Sequence, residues 1–112
     1  MNRWIAFLVL ALPLAAADIS GKWNAEVNLD LGSGSPVFTF RQEGEKLTGT
    51  YSGAAGDAKL TGAVSGRTIR FEFTTEWGTV KYEGAIEDDK HMKGTADYAG
   101  QAKGTWTMVK AE

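Results

Sequence analysis

From Gly21 onward the chain alternates between apolar and polar residues at every second position, in short runs bounded by glycine-rich punctuation. That is the pattern of half-buried β-strands in a sandwich or barrel. Eight runs can be delimited, at 21–31, 37–42, 46–52, 58–65, 68–76, 79–87, 91–98 and 101–110, and no helical period is found after residue 17. In the first run Trp23, Ala25, Val27, Leu29 and Leu31 share one parity, and Asn24, Glu26, Asn28 and Asp30 take the other. In the fifth, Ile69, Phe71 and Phe73 oppose Arg70, Glu72 and Thr74. The short connections predict antiparallel neighbours. The expected architecture is therefore all-β, an eight-stranded antiparallel up-and-down barrel. Its outward set is Lys, Glu, Asp and Thr, which excludes a lipid-facing outer-membrane barrel, whose polarity is reversed.

The octet "KLTGTYSG" at 46–53 returns as "KLTGAVSG" at 59–66, each with a glycine in mid-strand. Gly49, Gly62, Gly84, Gly94 and Gly104 all fall on the inward parity, in five different runs. A single strand glycine weakens a sheet, but a set on one face lets the sheet coil and close, removing its edges. An eight-stranded barrel is filled by its own side chains or holds one small ligand. The inward glycines permit either outcome, by admitting Phe and Trp from facing strands or by leaving a cavity.

A meander sorts these residues between two ends. Trp23, Leu47, Val64, Ile69, Ile86, Met92 and Met108 collect at one, beside tight links. Phe38, Tyr51, Trp77, Tyr82 and Tyr98 fall towards the other, where the longer segments "GSGSP" and "GAAGD" are expected to be loops around a mouth. Tyrosine and tryptophan combine an apolar face with a polar handle, so convergent ones suit a ligand as well as a packed lid. The candidate ligand-binding residues are Phe38, Tyr51, Phe71, Trp77, Tyr82, Tyr98 and Trp106.

The first residues break the pattern. "MNRWIAFLVLALPLAAAD" has one basic residue, an apolar segment well short of the roughly 20 residues that span a bilayer, and a small-residue end at Ala15-Ala16-Ala17. It reads as a secretory signal peptide over 1–17, cleaved after Ala17. A single barrel domain over 18–112 remains, secreted or periplasmic and with no membrane span in its mature form. Of the 112 residues none is cysteine, so such a domain must be held by its core alone. The formal net charge of −2 comes from interspersed Lys, Asp and Glu, which argues against nucleic acid as a partner.

Candidate chemistry is sparse. The one histidine, His91, adjoins the polar turn that carries Asp88 and Asp89, and three neighbouring turn residues make a poor metal site. No carboxylate takes the inward parity of a regular run and no Gly-x-Ser-x-Gly motif occurs. The interior therefore lacks the groups for acid-base or covalent catalysis. A non-enzymatic protein without cofactors or metal is expected.

"GKW" at 21–23, opening the first strand, resembles the Gly-x-Trp signature of the calycin superfamily, which includes lipocalins, fatty-acid-binding proteins and avidins. That resemblance implies that Trp23 plugs a closed end and that a basic residue of the last strand, at Lys110 or nearby, packs over it. "KLTGTYSGAAGDAKLTG" is similar to the third strand of avidins and its surroundings. Biotin binding is disfavoured by the departures from that pattern. Ala25 stands where avidins carry Asn, Asn24 faces out, Gly53 replaces a serine, and Tyr51 alone of the ureido-binding groups carries over. Over nearly all of 21–110 the cadence also resembles small β-domains of secreted bacterial proteins. The expected function is a carrier for a small, mostly apolar ligand at one open end. The alternative is a filled structural or protein-interaction domain with no small-molecule ligand.

Overall fold

The computed structural model describes residues 18–54 and 56–111; the expected signal peptide at 1–17 lies outside them. Among the described residues the regular structure is entirely β: β1 (Gly21–Leu29), β2 (Gly32–Gly34), β3 (Val37–Glu43), β4 (Lys46–Gly53), β5 (Gly56–Ser65), β6 (Thr68–Thr75), β7 (Gly78–Asp88), β8 (His91–Tyr98) and β9 (Ala102–Lys110). From β3 to β9 each strand pairs antiparallel with the next, β3 pairs with the first half of β1, and β9 returns to β1 with Trp23 opposite Lys110 and Leu29 opposite Gly104. The sheet is a closed eight-stranded antiparallel barrel, and closure pairs the edges that an open sheet would expose. The ninth segment, β2, continues β3 beyond a break at Ser35-Pro36. It pairs with the outer half of β1, while the Ala25 amide donates to the Pro36 carbonyl at 3.0 Å.

The parity expected from the sequence is the parity of burial. The core comprises the inward side chains from Trp23 on β1 to Met108 on β9, and among the described residues no polar or charged residue is buried. Leu31 is an exception to the expected alternation. The chain reverses at Asp30-Leu31, so β1 stops at Leu29 and Leu31 stands 78% exposed at a hairpin tip. The two expected mouth loops are also corrected: "GSG" of the first is β2, and β4 and β5 extend to Gly53 and Gly56, leaving two residues between them.

All five inward glycines are required by close approach. A Cβ on Gly49, Gly62, Gly84, Gly94 or Gly104 would overlap the backbone carbonyl oxygen of Thr39, Arg70, Lys93, Glu83 or Asn28 respectively. The coiled sheet has brought the neighbouring strand into the space of a side chain. The same glycines admit rings: a Cβ on Gly84 would also lie 2.6 Å from Cζ2 of Trp106, and one on Gly62 would lie 2.6 Å from Cβ of Phe71. Between filled core and hollow barrel, the body of the barrel is filled. Phe38 packs edge-on against Phe71 at 5.2 Å, Phe71 stacks on Tyr82 at 5.0 Å, and Tyr82 lies 5.7 Å from Trp106.

One end is sealed by a device that the alternation did not reveal. Ile19, just before β1, is 1% exposed. The Trp23 indole N–H donates to its carbonyl at 2.9 Å, and its amide donates to Oε1 of Gln42 at 2.9 Å. Lys110 Nζ lies 6.0 Å from the centre of the Trp23 ring, so a basic residue of the last strand does pack over the tryptophan. The tight β3–β4, β5–β6 and β7–β8 turns surround this end. Arg67, in the β5–β6 turn, donates to the carbonyls of Ile86 and Glu87 on the adjacent β7, at 3.1 and 2.9 Å.

Two substitutions test the close approach at the inward glycines. Gly94→Ala should lower stability by about 2–3 kcal/mol through overpacking. Gly34→Ala, whose Cβ meets nothing within 4 Å, should stay within about 0.5 kcal/mol. Urea denaturation midpoints measure both, and equal midpoints would sink the close-approach account.

Candidate functional site

At the opposite end the barrel is not filled to its rim. A cavity of about 400 Å³ opens there. One wall is Val27 and Leu29 of β1 with the chain from Leu31 through β2 to Pro36; Tyr51 and Ala54 form the second; Trp77, Tyr98, Gln101 and Ala102 complete it. The β1–β2 hairpin builds one side of the cup: β2 carries the line of β3 on beyond Pro36 against the outer half of β1, which β9 pairs on its other side up to Leu29. Antiparallel pairing opposite inward Val27 and Leu29 turns Gly34 and Gly32 to the same side, so this wall is lined by glycine where a side chain would occupy the space.

Of the candidate residues, the structure brings Tyr51, Trp77 and Tyr98 to the cavity. Tyr51 and Tyr98 are buried at 3% and 7% exposure, whereas Trp77 stands half-exposed on the rim. Phe38, Phe71, Tyr82 and Trp106 do not line it; they belong to the ring-packed body beneath. Phe71 and Tyr82 border an external groove over Gly62, and Trp106 borders another over Gly84 and Gly94, with its indole N–H donating to the Thr95 carbonyl at 2.7 Å. The segment 32–36, expected around this mouth, lines the cavity together with Leu31, Gln101 and Ala102, none of which was among the candidate ligand-binding residues. The available signal was the Gly-Ser-Gly-Ser-Pro composition, which reads as a loop until its pairing with β1 is known.

Polar groups of the floor are tyrosine hydroxyls. The Tyr82 and Tyr98 hydroxyls are hydrogen-bonded at 2.5 Å, and the Tyr51 ring stacks on Phe73 with centres 4.3 Å apart. The Tyr51 hydroxyl reaches the backbone of Gly53, where a Cβ would lie 2.6 Å from it and 3.0 Å from Cβ of Pro36. Glycine at 53 therefore makes room for this hydroxyl beside a residue of the cavity wall. Burial pushes the Tyr82 phenol far above its ordinary value, and the neighbouring Tyr98 adds to the effect. Burial also pushes Tyr98 up to about 12, against the opposing pull of the bond with Tyr82.

Among the described residues that line the cavity none is charged. His91 and Asp88 lie far along β8 from this mouth, in the turn at the sealed end, where the His91 ring nitrogen Nδ1 is 2.8 Å from Asp88 Oδ1. The Lys90 amide bonded to the Asp88 carboxylate, with help from His91, holds that acid below the ordinary carboxylate range. Among the described residues no group of three His, Cys, Asp or Glu is placed to hold a metal ion.

The raised phenols fix the sign of the alkaline behaviour. Their contribution is intact below the ordinary tyrosine value of 10 and is lost as pH rises through the Tyr98 value of about 12, because above 10 the unfolded chain ionises first. Phenolate absorbance should therefore show Tyr98 titrating well after a free tyrosine, with stability by circular dichroism falling across the same interval. Titration of Tyr98 alongside a free tyrosine near 10 would contradict the packing described.

No protein-family model matches the chain, and no curated protein matches it. Solved structures do. A redesigned β-barrel, b11L5F_LGL, superposes with a TM-score of 0.69 at 15% identity, over 84% of this chain and 92% of that one. The redesigned barrel mFAP1, bound to DFHBI, gives 0.63 at 12% identity, over 82% of this chain and 94% of the other. A fluorescence-activating β-barrel designed de novo gives 0.59 at 12% identity, over 82% of this chain and 93% of that one. At these identities the likeness establishes the fold: an eight-stranded antiparallel β-barrel.

Proposed function

We propose that this protein is a secreted, non-enzymatic carrier that takes a small, mostly apolar molecule into the open end of its barrel. The observation that carries the reading is the cavity of about 400 Å³, walled by Val27, Leu29, Pro36 and Trp77 and floored by Tyr51 and Tyr98. Its volume and its apolar wall with few polar groups are those of small-molecule sites. A barrel of similar fold is bound to DFHBI, which supports the capacity of such a scaffold to hold a small molecule.

A calycin relationship is supported by the Trp23–Lys110 arrangement at the sealed end. Biotin is disfavoured because Ala25, 2% exposed in the core, offers no side-chain hydrogen bond where avidins place one, and an unmatched polar ring loses its water without replacement. A lining of apolar, hydroxyl and amide side chains, with no carboxylate, histidine or lysine among the described residues, supports a binding role over catalysis. Export rests on the signal-like character of residues 1–17.

The alternative, a filled structural or protein-interaction domain, is favoured by the ring packing beneath the cavity and by the exposure of Leu31 and Trp77 at the mouth. Native mass spectrometry of the protein purified undenatured from its own host separates the two. A carrier retains a small molecule, and Gly34→Phe, which projects a ring into the cavity from a position with no neighbour within 4 Å, should reduce its occupancy at least ~10-fold, as expected for steric exclusion from a site of this size. An apo mass in both proteins after exposure to lipid and metabolite extracts would favour the filled domain.

A further inference from the structure

The three tyrosine hydroxyls under the cavity are engaged with one another. Tyr98 donates to Tyr51, which uses its proton, so in the 2.5 Å bond between Tyr82 and Tyr98 the fully buried Tyr82 is the donor. Tyr51, at the end of this chain, is likewise partnered. Among the described residues no buried side-chain nitrogen or oxygen is left without a hydrogen bond. The floor of the cup therefore presents ring surface to a ligand, and its hydroxyls are already taken.

The lower walls add nothing polar. Val27 stands at the height of the packed body, opposite Trp106 in β9, and Leu29 and Ala102 are apolar. Among the described residues no charged side chain lines the cavity. A hydroxyl carried to this depth would give up its water with no replacement, and an ionised group would lose more.

Polarity returns at the outer end. Ser33 lies opposite the outward-facing Asn28, and the Ser35 hydroxyl donates to the Glu26 carboxylate on the outer face of β1. Both side chains turn away from the cup. Gln101, exposed in the β8–β9 turn, is the polar side chain that remains on the cavity above the tyrosines. Leu31 and Trp77, also on the cavity, are two of the three large apolar side chains exposed among the described residues. Apolar surface thus runs from the floor to the rim, and side-chain hydrogen bonding is offered at the rim.

We infer that the cup takes an amphipathic molecule apolar end first, and that the polar end of this molecule stays at the mouth with Gln101 and water. The inner end is hydrocarbon, because nothing at the floor replaces the water of a polar group. The outer end stays hydrated, so its size and polarity are unrestricted. This inference rests on the carrier reading and specifies the class and the orientation of its ligand.

Three probes that share a decyl chain test it: decanol, decyl glucoside below its micellar concentration, and the α,ω-decanediol with a hydroxyl at each end. Binding is read as protection of tryptophan emission from acrylamide, because Trp77 stands 51% exposed on the cavity while Trp23 and Trp106 are buried. Decyl glucoside should bind within about 3-fold of decanol, since its sugar keeps its water. The diol buries one hydroxyl whichever end enters, and should bind at least ~10-fold more weakly than decanol. Trp77→Phe, which removes the exposed reporter, should abolish the protection.

If decanol binds and Gly34→Phe expels it, yet the diol binds as tightly or the glucoside is excluded, the orientation is overturned and the carrier reading stands. Protection that survives Trp77→Phe would place the probes outside the cup and overturn this inference. If none of the probes protects the wild-type protein, the carrier reading and this inference fall together.

Discussion

The close approach of neighbouring strands at five inward glycines is the constraint on which the rest of this structure depends. Where each of these residues sits, the adjacent strand's carbonyl occupies the volume of a side chain. This contact lets a sheet of eight strands coil tightly enough for β9 to meet β1. Closure then has two consequences. It pairs the strand edges, and it creates an interior narrow enough for the rings of Phe38, Phe71, Tyr82 and Trp106 to fill, with the Tyr82 hydroxyl and the Trp106 indole N–H each hydrogen-bonded. With no disulfide available to a cysteine-free chain, that ring packing supplies the cohesion.

The two ends of the barrel are finished differently. At one, Ile19 folds under Trp23, accepts its indole proton and is itself held by Gln42, while Lys110 lies over the tryptophan ring. This packing leaves no opening. At the other end the β1–β2 hairpin carries the wall on beyond the start of β3, and its glycine-rich arm leaves the space inside it empty. A filled body with a cup above it is the result. The question of a filled or hollow barrel, which composition left open, is answered differently at different heights along the axis.

The cup differs from the body in polarity as well as in packing. Its floor is formed by Tyr51 and Tyr98; burial keeps the Tyr98 hydroxyl protonated, and Tyr82 is bonded to it from below. Gly53, which on the avidin pattern reads as a lost ligand contact, is where the Tyr51 hydroxyl finds its space. A residue type compared with a family position thus acquires a different meaning from the side chain that actually packs against it.

The alternation of residues determined by itself the eight barrel strands, their antiparallel order and the buried face, because a strand's side chains alternate strictly and the runs from Trp23 to Met108 obey that period up to Leu31's turn. It likewise determined the inward row of glycines and the gathering of Tyr51, Trp77 and Tyr98 towards one end. Only the tertiary structure decided that Leu31 lies at a turn, that Gly32–Gly34 is a strand, that Ile19 seals the base, and that Phe38, Phe71, Tyr82 and Trp106 lie below the cavity. Each of these depends on which distant segment lies opposite. A run continues or reverses according to the partner available for its hydrogen bonds, and the height at which rings fill a barrel depends on side chains from facing strands that share no local pattern.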